Sequence, residues 1–170
     1  MIKTIIYTSQ TGFTKKYARL LALETGATAF ELGKAPGKVK RDEPVVYMGW
    51  LKAGRLMGLS RAMKEHRIAA VCAVGMGPQR QGGSQAQGVQ RMYHLDAVPV
   101  FYLQGGYDGA KLKGMNRFMM RCMTKLTAPR LEKKKDRTAE EEDMLTLLRH
   151  GGDRVDKKNL ASVLAWMKGR

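Results

Sequence analysis

The sequence predicts an α/β protein with a parallel sheet, and two observations carry that prediction. Short apolar runs alternate with segments of helical periodicity along most of the 170 residues, which is typical of a parallel sheet covered by helices. Residues 68–74 form an uninterrupted apolar run, as expected for a central strand that is buried on both faces. The chain length fits a single domain with a sizeable core.

Five strands and three intervening helices are predicted in the first two thirds of the chain. The predicted strands are residues 3–7, 27–32, 45–48, 68–74 and 98–103, and the predicted helices are residues 13–25, 55–66 and 89–95. Gly26 is suited to end the first helix, because glycine readily adopts the left-handed conformation found there. The glycine-rich and polar segments between these elements are expected to be loops.

A methionine-rich helix is predicted at residues 113–126, and Pro129 is suited to end it. Its basic residues recur at i, i+4 and i+8, and they are Arg117, Arg121 and Lys125. Its apolar face consists of Phe118, Met119, Cys122, Met123 and Leu126. The basic row is either a solvated face or a contact surface for anionic lipid, an acidic partner or a carboxylate-bearing substrate.

Two further helices are predicted near the C-terminus. Residues 130–137 form a charged linker, and Thr138 with Glu141 three residues later is a capping-box pattern that should begin a helix. Asp156 is expected to cap a final amphipathic helix. We therefore expect one domain over the whole chain, with a basic helical insertion at about residues 127–155.

The charge balance is strongly basic and bears on partners. Lys and Arg number 31 against 15 Asp and Glu, for a net charge of +16, which should attract the protein to anionic surfaces. No apolar run approaches the ~20 residues of a membrane span, and the N-terminus does not resemble a signal peptide. We expect a cytoplasmic protein whose Cys72 and Cys122 are buried, reduced thiols. No Cys/His cluster has the spacing of metal ligands.

The most informative stretch connects the first strand to the first helix. Residues 8–14 read TSQTGFT, which places four hydroxyls and a row of backbone N–H groups at the positive end of a helix. Such a site suits a phosphate group. The turn lacks the lysine of a P-loop, so hydrogen bonds would hold the phosphate. The alternative is that these residues only form the turn.

This stretch resembles the phosphate loop of the flavodoxin family, which binds FMN. The family pattern is roughly Ser/Thr-x-Thr-Gly-x-Thr, here residues 9–14, with Phe13 where the family commonly has Asn. The resemblance implies that FMN is bound by Thr8, Ser9, Gln10, Thr11, Gly12, Phe13 and Thr14. It also implies a flavodoxin-like three-layer sandwich, in which helices cover both faces of a five-stranded parallel sheet of order 2-1-3-4-5. In that order the loops after strands one, three and four converge.

The resemblance implies two further flavin-binding segments. One follows the third strand and comprises Gly49, Trp50, Leu51, Lys52, Ala53 and Gly54; the other follows the fourth strand and comprises Gly75, Met76 and Gly77. Trp50 would stack on the flavin ring or, alternatively, cover the edge of the sheet. Lys52 would stabilise a reduced, anionic flavin or be solvated. The glycines would let backbone N–H groups approach the flavin closely.

Residues 102–126 resemble the corresponding stretch of flavodoxin-domain proteins that include menaquinone-dependent protoporphyrinogen oxidase. That subgroup has a helix that reads roughly Asp/Asn-Arg-Phe-Met-x-Arg, here residues 116–121, and a closing amphipathic helix like residues 159–167. The porphyrin enzyme also has a long basic segment after strand four. Residues 79–88 are instead short and glutamine-rich, and carry Arg80 as their single basic residue.

The leading interpretation is an FMN-dependent redox protein, either an electron carrier or a reductase or oxidase. The cofactor performs the chemistry in such proteins, so no catalytic side chain is expected. Its redox partner would be an acidic protein or a quinone, with a possible contact to an anionic membrane. One alternative is a protoporphyrinogen oxidase-like enzyme at the membrane surface. Another is a non-enzymatic module whose basic helix binds an anionic partner, although no nucleic-acid-binding motif is present.

Overall fold

The protein is described here by a computed structural model that covers residues 2–79 and 83–169. A mostly parallel central sheet is flanked by helices, which confirms the α/β prediction. The strands are β1 (Thr4–Tyr7), β2 (Thr28–Glu31), β3 (Pro44–Lys52), β4 (Arg55–Leu56), β5 (Arg67–Gly75), β6 (Val100–Gln104), β7 (Gly106–Tyr107) and β8 (Gly152–Asp153). Parallel strands follow the order β2-β1-β3-β5-β6, and β4 pairs with β3 in antiparallel fashion. Strands β7 and β8 form a separate antiparallel pair.

Helices cover both faces of the sheet because successive strand residues point to opposite sides. The helices are α1 (Phe13–Thr25), α2 (Leu59–Glu65), α3 (Ser84–Met92), α4 (Gly114–Lys133), α5 (Ala139–His150) and α6 (Ala161–Lys168). Ile5 packs in the apolar cluster that includes α1 and α6 residues. The next residue, Ile6, packs in the cluster that includes α2 and α3 residues. Helix α1 has its predicted bounds, and Gly26 follows it in the left-handed conformation.

The predicted loop at residues 49–54 is wrong, and the central sheet has six strands rather than five. Strand β3 continues to Lys52, and Ala53 and Gly54 form a two-residue turn into β4. Both turn residues have positive φ angles, of 47° and 78°, as hairpin turns of this length require. The sequence has no Asn-Gly or Asp-Gly pair at this turn to indicate a hairpin, so the predicted third strand ended too early, at residue 48.

Two predicted helices also have other bounds. Helix α2 begins at Leu59 rather than residue 55, because Arg55 and Leu56 pair with β3. Helix α3 spans Ser84–Met92 rather than residues 89–95. The polar segment at residues 79–88 is therefore helical in its second half, and its residues 80–82, Arg80 included, lie outside the described part of the chain.

Pro129 does not end α4, which continues to Lys133. Proline cannot donate the backbone hydrogen bond that the fourth preceding residue would accept. Packing against α5 keeps this part of the chain helical: Ala128 is completely buried, and Glu132 forms a 2.6 Å ion pair with Arg149 of α5. Tertiary contacts thus override the local effect of the proline.

The capping box at Thr138 and Glu141 is confirmed, and Asp156 caps a short 3₁₀ turn, residues 157–160, that leads into α6. The segment 127–155 is not basic, because its seven Lys and Arg residues are balanced by seven Asp and Glu residues. Cys72 is buried and Cys122 is half-buried, and both thiols are free.

The buried thiol makes stability depend on pH. Burial raises the pKa of Cys72 from 9.0 to about 12, so as pH rises the thiol ionises first in the unfolded chain. The stability that comes from keeping this thiol neutral is complete below pH 9 and is lost as pH rises toward 12. Between pH 9 and 10 we expect the free energy of unfolding of the natural protein to fall by about 1 kcal/mol per pH unit more than that of Cys72→Ala. Urea unfolding at several pH values measures both slopes, and equal slopes would contradict the prediction.

Candidate functional site

A cavity of about 350 Å³ opens at the carboxyl ends of the central strands. Four parts of the chain surround it: the turn between β1 and α1, the end of β3 with its hairpin turn, the end of β5, and the segment from β7 into α4. Its lining residues are Gln10, Thr11, Phe13, Thr14, Trp50, Leu51, Lys52, Ala53, Val74, Gly75, Met76, Gly106, Tyr107, Asp108, Leu112, Asn116, Met119, Met120 and Met123. The three segments that the sequence analysis expected to converge therefore meet at one cavity.

The predicted cofactor-binding residues divide into those that line the cavity and those that support it. The lining residues among them are Gln10, Thr11, Phe13, Thr14, Trp50, Leu51, Lys52, Ala53, Gly75 and Met76. The remaining ones are Thr8, Ser9, Gly12, Gly49, Gly54 and Gly77, which do not line it. Gly49 lies inside β3, where a Cβ would come within 2.8 Å of the Met57 carbonyl oxygen, so its role there is close packing.

The turn before α1 leaves the helix N-terminus without a side-chain cap. Gly12 precedes the helix with a φ of 100°, and its own N–H donates to Ser9 Oγ over 3.2 Å. The first turn of α1 contains no acidic residue. The opening N–H groups of a helix have no intrahelical acceptor. Thr11 and Thr14 line the cavity at this end, so uncapped backbone donors and two hydroxyl-bearing residues lie at the same edge.

Tyr47 anchors this turn from beneath. Its ring is completely buried, and its hydroxyl donates to the Met57 carbonyl oxygen over 2.6 Å and lies 2.9 Å from Thr8 Oγ1. Burial raises the pKa of Tyr47 to about 12, so it remains a neutral donor. Gly58 fits closely over this contact, because a Cβ there would lie 2.3 Å from the Tyr47 hydroxyl oxygen.

Trp50 lies at the end of a central strand and not at the edge of the sheet. It is paired in register with Val74 of β5, is half-buried, and lines the cavity together with Ala53 of the hairpin turn. Ala53 is one of two described non-glycine residues with positive φ. A left-handed alanine costs about 1–2 kcal/mol, and such strain is often found at functional sites.

Sequence reasoning missed the fourth side of the cavity. Tyr107 follows β6 and is held in the β7–β8 pair opposite Gly152, and it lines the cavity as a third aromatic residue in addition to Phe13 and Trp50. Helix α4 contributes Asn116, Met119, Met120 and Met123. These four residues follow helical spacing, so the periodicity already present in the sequence could have identified them as one face.

Asn116 brings an unpaired polar atom to this apolar wall. Its Oδ1 atom is buried and has no hydrogen-bond partner. A buried acceptor without a donor is unfavourable by about 1–3 kcal/mol, and a ligand N–H group would relieve that. Gln104 holds the cavity-lining Met76 in place, since its Nε2 donates to the Met76 carbonyl oxygen over 3.4 Å and to Asp143 over 3.0 Å.

The residues of the predicted apolar face of α4 do not share one environment. Met119 and Met123 line the cavity, but Phe118 and Leu126 are both 64% exposed. The three predicted partner-binding residues are exposed, and two of them, Arg121 and Lys125, line a second cleft of about 370 Å³ together with Tyr107, Thr124 and Leu148. Arg117 lines neither the cavity nor this second cleft.

The Tyr47 contact predicts a specific loss of stability. In Tyr47→Phe, the Met57 carbonyl oxygen loses its donor and the Thr8 hydroxyl loses its neighbour, so we expect unfolding to cost about 1–3 kcal/mol less. Tyr7→Phe is the matched control, because the Tyr7 hydroxyl makes no hydrogen bond to a described residue and should change stability by less than about 0.5 kcal/mol. Urea unfolding of both variants measures the difference, and equal losses would contradict this role of Tyr47.

The described residues offer neither a metal site nor a membrane-spanning helix. Within residues 2–79 and 83–169, no group of three or more His, Cys, Asp or Glu side chains could hold a metal ion. Over the same residues, no helix combines the length and apolarity needed to cross a membrane. Comparisons with protein-family models, curated proteins and solved structures gave no match to this chain.

Proposed function

We propose that this chain has a flavodoxin-like fold and is an FMN-binding redox protein. The observation that carries the proposal is the meeting of three segments, the ends of β1, β3 and β5, around one largely apolar cavity. In open α/β sheets, ligands bind at the carboxyl ends of strands where the strand order reverses. Here the reversal lies between β1 and β3. The chain passes from β1 to β2 on one side of β1, and then returns to place β3 on the other side of β1.

The phosphate of FMN would be held by the turn before α1. The uncapped N-terminus of α1 offers backbone N–H groups and the positive end of a 13-residue helix. Thr11 and Thr14 would add hydroxyl donors, and hydrogen bonds to a charged acceptor are each worth about 1.5–3 kcal/mol. Ser9 and Thr8 would act indirectly, since Ser9 bonds Gly12 and Thr8 contacts Tyr47.

The flavin ring would occupy the apolar part of the cavity. Trp50 and Tyr107 offer aromatic faces for a planar ring, and methionine side chains adapt to its outline. The volume of about 350 Å³ is within the range of small-molecule sites. The unpaired Asn116 Oδ1 would accept a hydrogen bond from a ring N–H. These features fit a flavin better than they fit a purely polar nucleotide.

Bound FMN would supply the electron acceptor and donor. The chain would bind and orient the cofactor, exclude water with its methionine-lined wall, and set the electrostatic environment. Lys52, at the end of β3, would favour a negative charge on the reduced ring. An acidic protein or a quinone would be the redox partner, as the net charge of +16 favours an anionic one.

Flavin titration of the purified protein tests the proposal. We expect FMN to bind with a perturbed visible spectrum and quenched fluorescence, and to bind at least about tenfold more tightly than riboflavin, which lacks the phosphate. Thr11→Val should weaken FMN binding by about tenfold or more and leave riboflavin binding unchanged. Trp50→Leu should weaken both ligands, and Trp50→Phe should restore most of the loss.

A threonine far from the turn before α1 in sequence, Thr146, provides the control. Thr146→Val removes a threonine hydroxyl that bonds only the Glu142 carbonyl oxygen in α5, and it should bind both flavins like the natural protein. No binding of either flavin at a concentration of about 100 μM, far above a functional dissociation constant, would reject the proposal. Binding without any preference for FMN would reject the assignment of the phosphate to the turn before α1.

A further inference from the structure

Helix α4 has a second surface that the proposed flavin site does not use. Three of the six large apolar side chains that are exposed among the described residues lie on this one helix. They are Met115, Phe118 and Leu126, with exposed fractions of 73%, 64% and 64%. Isolated exposed apolar residues are normal, but a concentration on one helix face indicates an interaction surface.

A row of cations runs beside these side chains. Arg117, Arg121 and Lys125 are exposed and form no ion pair with a described residue. No acidic residue occurs between Asp108 and Glu132, so nothing along this stretch of sequence neutralises the row. We call these three cations and the three apolar residues together the outer face of α4.

Phe118 and the cations of the outer face point away from the cavity, whereas Met115 and Leu126 lie at the border of the cavity-lining side of the helix. Asn116, Met119, Met120 and Met123 line the cavity, and helical geometry puts Phe118, Arg121 and Lys125 on the opposite side of the helix. Within the outer face, the apolar residues lie on one flank and the cations on the other. Helix α5 packs on the cationic flank, where Ala128 is completely buried.

The cationic flank includes a cleft large enough for a small anionic group. Arg121 and Lys125 line the second cleft of about 370 Å³ together with Thr124. The Thr124 Oγ1 atom is buried and has no hydrogen-bond partner. Two cations and one hydroxyl, none with a partner among the described residues, are the groups that would bind a phosphate oxygen. No acidic side chain of a described residue lines this cleft.

We propose that the outer face of α4 docks on an anionic lipid bilayer, with the second cleft receiving a lipid headgroup phosphate. Phe118, Met115 and Leu126 would enter the boundary between headgroups and acyl chains, as the apolar sides of interfacial helices do. The cation row would bind the negatively charged surface. Charge complementarity favours an anionic partner, and the large aliphatic and aromatic side chains favour a bilayer over nucleic acid, whose phosphates offer them no contact.

Co-sedimentation with vesicles tests this docking. The full chain should bind vesicles that contain about one third phosphatidylglycerol in phosphatidylcholine, bind at least about tenfold more weakly to phosphatidylcholine alone, and dissociate as salt is raised. Arg117→Gln, Arg121→Gln and Lys125→Gln combined should lower the partition coefficient by about tenfold or more. Phe118→Ser with Leu126→Ser should lower it by a similar factor.

Control variants outside α4 distinguish docking by the outer face from a general effect of net charge or a loss of folding. Arg19→Gln, Lys38→Gln and Arg91→Gln combined remove the same charge from exposed positions outside α4, and Leu23→Ser removes an apolar side chain that is 80% exposed on α1. Both should bind within about twofold of the natural protein. Thermal unfolding verifies that all variants fold, which their surface positions favour.

Three outcomes would overturn the proposal. The first is no binding to the anionic vesicles, and the second is equal binding to neutral and anionic vesicles. The third is a loss in the control variants as large as in the α4 variants. Each assay is run with and without FMN, and docking should occur in both cases. Vesicle binding without flavin binding would therefore reject only the proposed function, and flavin binding without vesicle binding would reject only the docking.

Discussion

The geometry of the cavity depends on one buried hydroxyl. Tyr47 lies in the middle of β3, and its hydroxyl contacts Thr8 at the end of β1 and Met57 after β4. Three segments of the chain are thereby fixed in one arrangement, and Gly58 allows the chain to pass directly over the contact. A buried hydroxyl that contacts two polar partners specifies a single geometry, because any other packing leaves polar groups unpaired.

The side of the cavity formed by β7 and α4 depends on the C-terminal third. Arg154 donates to Asp143 over 2.8 Å, and its backbone N–H donates to the Gly105 carbonyl oxygen over 2.7 Å. Gln104 donates to the same Asp143 carboxylate, so α5 is tied to the end of β6. Arg154 directly follows β8, which pairs with β7, so this network also holds β7 in place. The segment 127–155 is therefore a support for the cavity rather than a basic appendage.

The elements set by local sequence were predictable, and those set by distant contacts were not. Helix α1 follows an apolar periodicity and stops before Gly26, and the helix after Thr138 starts with a reciprocal cap; both signals are short-range. The length of β3 and the passage of α4 through Pro129 depend on pairing with β4 and on packing against α5. The same limit applies at the site. The convergence of three segments at the cavity followed from the predicted strand order. The apolar residues of α4 could be divided into cavity-lining and exposed ones only once the elements that pack against α4 were known.

The methionine-rich wall makes the interior chemistry of the cavity adjustable after synthesis. Met76, Met119, Met120 and Met123 all line it, and a thioether is both flexible and oxidisable. Conversion to the sulfoxide replaces an apolar contact with a polar, chiral one, and reductases reverse it. An aliphatic wall of leucine or valine would have the same dryness without that sensitivity. Oxidation of individual methionines would therefore make the cavity more polar in steps, while the sheet beneath it remains intact.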